Sequence, residues 1–264
     1  MQLRRLGTSG LLLSHLGLGT MTWGRDTDEH EAAGQLRAYL ESGGNFIDTA
    51  AMYGGGDSER VIGGLLGAMV KRDDLVIASK AGLSYSEGLR TVNSSRKALL
   101  RDLEGSLSRL GTDYLDIWQL HAWDPLTPLE ETLKAFDDLI RQGKVIYIGF
   151  SEWSAPEIKA ALDLAKEMGL DRFVSSQPQY SMLWRVPEAE VIPLCQKEGI
   201  GQIVWSPLAQ GVLTGKYLPG KKAPAGSRAT DKKGGANMIS RWMDDSVLSA
   251  VQKLLPIAKE CGLT

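Results

Sequence analysis

The chain has 264 residues, 43% hydrophobic and 23% charged, with a formal net charge of −2. That composition belongs to a globular protein with a large core and excludes a fibrous or natively unfolded chain. The near-neutral balance and the lack of a basic block leave no electrostatic footprint for nucleic acid or an anionic membrane.

Cys195 and Cys261 stand far apart without a CxxC spacing, and the three histidines form no HxxxH or HExxH pair. No metal ligand set is therefore expected. No apolar run reaches transmembrane length and no signal peptide is recognisable, so the expected setting is a reducing cytoplasm.

Short runs with strand character recur along the chain: LGLGT from 16, NFIDTA from 45, LVIASK from 75, LDIWQLH from 115, VIYIGFS from 145, FVSSQPQYS from 173 and GQIVWSPL from 201. Most start roughly 30 residues apart, about one strand-plus-helix unit. Helices fit after Asp28 and after Ser58, where Ser58 and Glu59 read as helix-start punctuation following the turn glycines. In SSRKALLRDLEGSLSRLG, the residues Leu99, Leu100, Leu103, Leu107 and Leu110 repeat at helical spacing, and Gly111 stops the run. Thr127, Pro128 and Glu130 read as a hydroxyl cap, a first-turn proline and a capping-box glutamate. Ser154, Pro156 and Glu157 repeat that logic before a helix ending at Gly169. A further helix fits 187–198, and the stretch 216–240, rich in Gly, Lys, Ala and Pro, reads as a long loop.

Alternating strands and helices imply parallel pairing through crossover connections. The count favours an α/β fold of (β/α)8 TIM-barrel type over a doubly wound sheet. With no linker or shift in composition, residues 1–264 are expected to form a single barrel domain. The chain stops at KECGLT, just after a helix, so the eighth strand and the C-terminal tail are expected to be absent from it.

In parallel α/β folds the site gathers at the C-terminal ends of the strands. Asp48, Lys80, His121, Ser151, Gln177 and Ser206 all fall at or near such ends. Each has an ordinary alternative: Asp48 as a turn cap, Tyr53 as a rim aromatic, Lys80 as a solvated strand end, His121 as a core histidine. Together Asp48, Tyr53, Lys80 and His121 make a coherent set for proton transfer. An ammonium at Lys80 is expected to stabilise the Tyr53 phenolate and lower its pKa, with Asp48 holding the lysine. His121 can donate a hydrogen bond to a carbonyl oxygen that gains negative charge. Protonation of an alkoxide pairs with hydride delivery to carbon.

Three other motifs fail on inspection. GVLTGKY has three residues between its glycines and Tyr217 where a P-loop needs Ser or Thr. No GxGxxG follows the first strand, so a Rossmann site is unsupported. The stretch from Asp48 to Glu59 has the length of a calcium loop, but Ala50 and Met52 stand where oxygen ligands are required.

The motifs GLGTMTWG, FIDTAAMYGGGDSE, VIASKAG, DIWQLHAWDP, YIGFSEW, SSQPQYSML and WSPLAQGVLTGKY resemble, in order, those of the aldo-keto reductase superfamily. The SPLAQGVLTGKY run is similar to the bacterial branch related to potassium-channel β-subunits. The resemblance implies a (β/α)8 barrel that binds NADP(H) in extended form, with NAD as the alternative, and reduces a small-molecule aldehyde or ketone. It implies a catalytic tetrad of Asp48, Tyr53, Lys80 and His121, with Tyr53 as general acid. It also implies cofactor contacts from Gly19, Thr20, Met21, Asp48, Ser151, Gln177, Trp205, Ser206, Pro207, Leu208, Gln210, Lys216 and Arg228. Trp205 would stack on the nicotinamide, and Arg228 would grip the adenosine end. Glu152 replaces the family's usual Asn. Trp23 and Trp123, with Tyr53 and His121, are assigned to a substrate pocket; Trp23, Trp123 and Trp153 have the alternative role of sealing the barrel top. The competing function is an NADP(H)-binding sensor like the channel subunits, which tend to carry an amide residue at the position of His121.

Overall fold

A computed structural model describes residues 1–86, 88–232 and 234–263. The chain forms two compact units, Met1–Pro178 with Glu190–Ile203, and Gln179–Ala189 with Val204–Thr264. No linker-like composition marks this division in the sequence.

The first unit opens with an antiparallel hairpin of β1 (Leu3–Arg5) and β2 (Leu12–Ser14). There follow β3 (Leu18–Gly19), α1 (Glu29–Glu41), β4 (Phe46–Asp48), α2 (Asp57–Leu65) and β5 (Val76–Ala81). A second hairpin, β6 (Leu83–Ser86) and β7 (Leu89–Val92), precedes α3 (Arg96–Leu110) and β8 (Leu115–Leu120). The unit continues through α4 (Leu129–Arg141), β9 (Val145–Ser151), α5 (Ala155–Met168), β10 (Phe173–Gln177), α6 (Val191–Glu198) and β11 (Gly201–Gln202).

Seven of these strands form one sheet, in the order β3-β4-β5-β8-β9-β10-β11. Every pair is parallel, and spatial order follows chain order throughout. A doubly wound sheet reverses direction at a switch point, whereas this monotonic winding is that of a TIM-barrel-like fold. An eighth strand is not among the described residues. All six residues of β5 and of β8 are buried, as expected of parallel strands covered on both faces.

The helices follow local chemistry where the cap is free to form. In α3, Leu99, Leu103, Leu107 and Leu110 form the buried stripe, with Ser95 capping the Ala98 N–H and Gly111 ending the helix at φ 64°. The capping box at α5 forms as expected, with the Ser154 N–H donating to Glu157 Oε2 at 2.6 Å. The one expected at Thr127 does not. Pro128 occupies the cap position without a side-chain bond, and the Thr127 hydroxyl donates to Asp124 Oδ2 at 2.6 Å. A carboxylate forms the stronger, charge-assisted hydrogen bond, and it draws the hydroxyl away from the helix. Glu130 pairs with Lys134 instead of closing a box.

A cluster of rings fills the core beside β9 and β10. Phe150 stacks on Trp153 at 4.9 Å, and Phe173 meets both edge-on at 5.4 Å. Trp123 meets Trp153 at 4.8 Å and 88°.

The second unit has its own core of Ala209, Val212, Tyr217, Ile239, Trp242, Leu248 and Val251. Its helices are α7 (Gly235–Ile239), α8 (Asp245–Gln252) and α9 (Leu254–Glu260). The expected loop of 216–240 is largely irregular, but it ends in α7. A Gly-Gly start masks that helix in the sequence. The Gly235 N–H donates to Asp231 Oδ2 at 2.8 Å, and a Cβ there would lie 2.3 Å from that oxygen. Among the described residues no helix is long and apolar enough to cross a membrane.

Phe150 is fully buried between two aromatic partners. Phe150→Ala is expected to lower the unfolding free energy by about 3–5 kcal/mol, measured by urea denaturation, through the cavity it leaves.

Candidate active site

β4, β5 and β8 are neighbours, and each delivers one residue to the same end of the sheet. Asp48 is the last residue of β4, Lys80 the penultimate residue of β5, and His121 directly follows β8. The His121 N–H donates to the Ala81 carbonyl at 3.0 Å, which ties the last two ends together. Tyr53 opens the turn Tyr53–Gly56, in which Gly54, Gly55 and Gly56 all have positive φ. Those glycines allow the chain to reverse into α2 within a few residues.

Lys80 is 1% exposed, and its Nζ finds three partners: Asp48 Oδ2 at 2.7 Å, the Thr49 carbonyl at 2.7 Å and the Tyr53 hydroxyl at 3.4 Å. An ammonium has three N–H groups, so its donors are satisfied. The other Asp48 oxygen accepts from Gln177 Nε2 at 2.8 Å, while the Gln177 carbonyl accepts from Ser151 Oγ at 2.8 Å. The Tyr53 and His121 rings meet edge-on at 5.7 Å. His121 Nδ1 is buried and has no hydrogen-bond partner among the described residues.

The electrostatics differ from the sequence expectation at Tyr53. Burial raises the phenol above its ordinary pKa; Lys80 pulls it down as expected, but only in part, and Asp48 pushes it up again. The hydroxyl is therefore held in its protonated form. Burial opposes the charge on Lys80, yet the Asp48 carboxylate outweighs it and keeps the ammonium protonated. Burial, assisted by the positive charges of Lys80 and Arg90, lowers His121 to about 3, so its imidazole is neutral.

The remaining expected residues of this unit are placed variously. Thr20 is buried, and its hydroxyl donates to the Asp48 carbonyl at 3.0 Å; Gly19 pairs with Asp48 in the sheet register, and Met21 is half-buried. Trp23 is 1% exposed and gives its indole N–H to Gln35 Oε1 at 2.8 Å. Its ring belongs to the core cluster that also contains Ala32 and Leu36 of α1 and Val61 and Ile62 of α2. Trp123 is half-buried and keeps part of its surface open. Glu152, where the family usually has Asn, adopts φ 57°. Asn tolerates that left-handed conformation better than Glu.

Ser58 and Glu59, read as helix punctuation, are both fully buried. Ser58 Oγ lies 2.8 Å from the Thr20 carbonyl and 3.0 Å from Thr49 Oγ1. Glu59 accepts from Ser79 Oγ at 2.6 Å and from Arg109 Nε at 2.7 Å. An Asp-Ser-Glu after a glycine turn looks like a cap, and nothing local distinguishes these partners. With Gly56 at positive φ, α2 starts at Asp57, two residues before the expected position, and Ser58 and Glu59 lie on its buried face.

In the second unit, Ser206, Ala209 and Gln210 have φ of 54°, 47° and 60°, and Gly211 has 95°. Non-glycine residues in this region cost of order 1–3 kcal/mol each and concentrate at ligand-binding turns. Gln210 Nε2 donates to Ser206 Oγ at 2.6 Å, and Arg228 Nη1 donates to Gln210 Oε1 at 2.5 Å. Lys216 lies along the same turn, its Nζ 3.5 Å from where a Cβ on Gly211 would stand. Trp205 is half-buried, while Pro207 and Leu208 are exposed. Ser206, Gln210, Lys216 and Arg228 thus form a cationic, hydroxyl- and amide-bearing cluster, a donor set suited to phosphate.

The parallel sheet is wound like a TIM barrel and carries Asp48, Lys80 and His121 at its strand ends, and comparison with known proteins names the class. The model of the Aldo/keto reductase family matches residues 15–264. The chain is 38% identical over 267 residues to a probable voltage-gated potassium channel subunit beta of Oryza sativa subsp. japonica, covering 100% of this chain and 80% of that protein. The corresponding protein of Arabidopsis thaliana is 39% identical over 267 residues, with the same coverage of 100% and 80%. The Bacillus subtilis protein described as uncharacterized oxidoreductase YrpG is 38% identical over 274 residues, covering 99% of this chain and 80% of that protein. The chain belongs to the aldo/keto reductase family, and its general role is that of an oxidoreductase.

His121 is lowered in the folded state, so it contributes stability above its unfolded pKa of about 6.5 that is lost as pH falls toward 3. In ¹⁵N NMR, the His121 ring is expected to remain neutral from pH 8 to about 5, where an exposed histidine titrates.

Proposed function

We propose that the protein reduces aldehyde or ketone carbonyls to alcohols with NADPH, with Tyr53 as the general acid. The observation that carries this reading is the Lys80 ammonium fixed between Asp48 and the protonated Tyr53 hydroxyl.

Two features fit the cofactor. The Ser206, Gln210, Lys216 and Arg228 cluster offers donors for phosphate groups, and the two cationic side chains favour the additional phosphate of NADPH over NADH. Asp48, Ser151 and Gln177 present polar groups at the strand ends for a carboxamide. When bound, NADPH supplies the hydride.

The protein's own residues handle the proton. Tyr53 is kept neutral by burial and carries a proton ready for transfer to the carbonyl oxygen. Lys80 then stabilises the phenolate left behind, since its pull on Tyr53 is already directed that way. Neutral His121 orients the carbonyl through a ring N–H without competing as an acid. Asp48, braced by Gln177, holds Lys80 in place. The half-buried Trp123, two residues after His121 in the chain, offers apolar surface to the substrate. This reading places the protein in the cytoplasm.

The similarity to probable channel β-subunits favours a second reading, a cofactor-binding regulatory protein with little turnover. NADPH oxidation against a panel of aldehydes separates the two. Under the reductase reading, Tyr53→Phe lowers kcat by on the order of 10²–10⁴. Equal turnover by the variant would remove Tyr53 from its role, and tight NADPH binding with no turnover by the parent would favour the regulatory reading.

A further inference from the structure

The first turn of α2 is bonded to all three segments that carry Asp48, Tyr53 and Lys80, and the proposed proton transfer uses none of these bonds. Ser58 contacts Thr20 and Thr49, and Thr20 in turn donates to the Asp48 carbonyl. Glu59 holds Ser79, the residue before Lys80 in β5. Strand alternation puts Ser79 and Lys80 on opposite faces, so Glu59 grips β5 from behind the lysine. Arg109, from α3, completes the brace. Its Nε donates to Glu59 Oε2 at 2.7 Å, and its Cδ would lie 2.6 Å from a Cβ on Gly56, the last residue of the Tyr53 turn. Gly56 has φ 101° and no side chain, which allows the guanidinium stem to pack directly beneath the turn.

Stability alone does not account for this arrangement. Glu59 is 0% exposed, and a buried carboxylate is costly to desolvate even when paired. Apolar residues of similar volume often serve a core as well or better. What an ion pair adds is a fixed direction and distance, here between the back of β5 and the base of the Tyr53 turn.

We propose that Glu59 is a positioning residue for proton transfer: its carboxylate, shared by Ser79 and Arg109, sets the separation of the Tyr53 hydroxyl from the Lys80 ammonium. This rests on the reading of Tyr53 as the general acid. Without the charge on Glu59, Arg109 is released from beneath Gly56 and the turn loosens, so Tyr53 moves away from Lys80. The tyrosine then loses part of the ammonium's pull and its titration moves to higher pH.

The test compares the parent with Glu59→Gln and with the double variant Glu59→Gln/Arg109→Met, which keeps an acceptor for Ser79 and leaves no charge unpaired. Urea unfolding reports stability, and fluorescence titration reports NADPH binding. NADPH oxidation with an aldehyde that the parent reduces gives kcat and KM. Incorporation of 3-fluorotyrosine with ¹⁹F NMR follows the Tyr53 titration, its signal assigned by loss in Tyr53→Phe. The expected result is a folded double variant with near-parental NADPH affinity and KM, kcat lower by about 10–100-fold, and a Tyr53 midpoint moved to higher pH. A folded double variant with parental kcat and an unchanged Tyr53 midpoint would overturn the proposal. So would a double variant that cannot fold, because Glu59 would then be a structural requirement. If Glu59→Gln alone fails to fold, the double variant decides. If the parent reduces no carbonyl, the proposed reaction fails, while the ¹⁹F midpoint still tests the positioning by Glu59.

Discussion

A buried ammonium is the constraint around which the strand ends are arranged. Lys80 is almost wholly removed from water, and a lone cation in that position would lose its proton. Asp48 and the Thr49 carbonyl prevent this by occupying two of its donors at 2.7 Å. Asp48 must then be held as well, and Gln177 reaches across from β10 to do so. The Asp48–Lys80 bond therefore connects the ends of β4 and β5 with Tyr53 on one side and with Gln177 of β10 on the other.

Burial has opposite consequences for protonation at the neighbouring residues. It keeps Tyr53 protonated and His121 unprotonated, because each is neutral in the form that low polarity favours. Of Tyr53, His121 and Lys80, the lysine is the one that remains charged, because the pull of the Asp48 carboxylate exceeds the desolvation cost. The strand ends therefore hold one ammonium beside one neutral hydroxyl. Those neutral states depend on enclosure, which explains why spacing in the chain is silent about them.

The second unit shows a different device. Its Ser206–Gly211 turn stores strain in left-handed residues, and Arg228 and Ser206 lock Gln210 from both ends. The polar cluster there is built by turn geometry, whereas in the first unit it is built by adjacent strand ends.

The sequence by itself determined the alternation of seven parallel strands with helices, and it put Asp48, Lys80 and His121 at strand ends with Tyr53 close behind; the hairpins β1–β2 and β6–β7 were not legible in it. Hydrophobic periodicity and strand-end position are local signals, and Asp48, Lys80 and His121 each sit where such a signal ends. Helix caps were legible only where no stronger partner intervened: Ser154 formed its box, and Thr127 lost its own to Asp124. Tertiary structure alone decided the rest. Trp23 became a core residue through Gln35, and Glu59 joined Ser79 and Arg109 across separations of 20 and 50 residues. Tyr53 kept its proton because burial outweighed the nearby ammonium. Partner choice and desolvation arise only when distant segments meet, and no local pattern of residues encodes them.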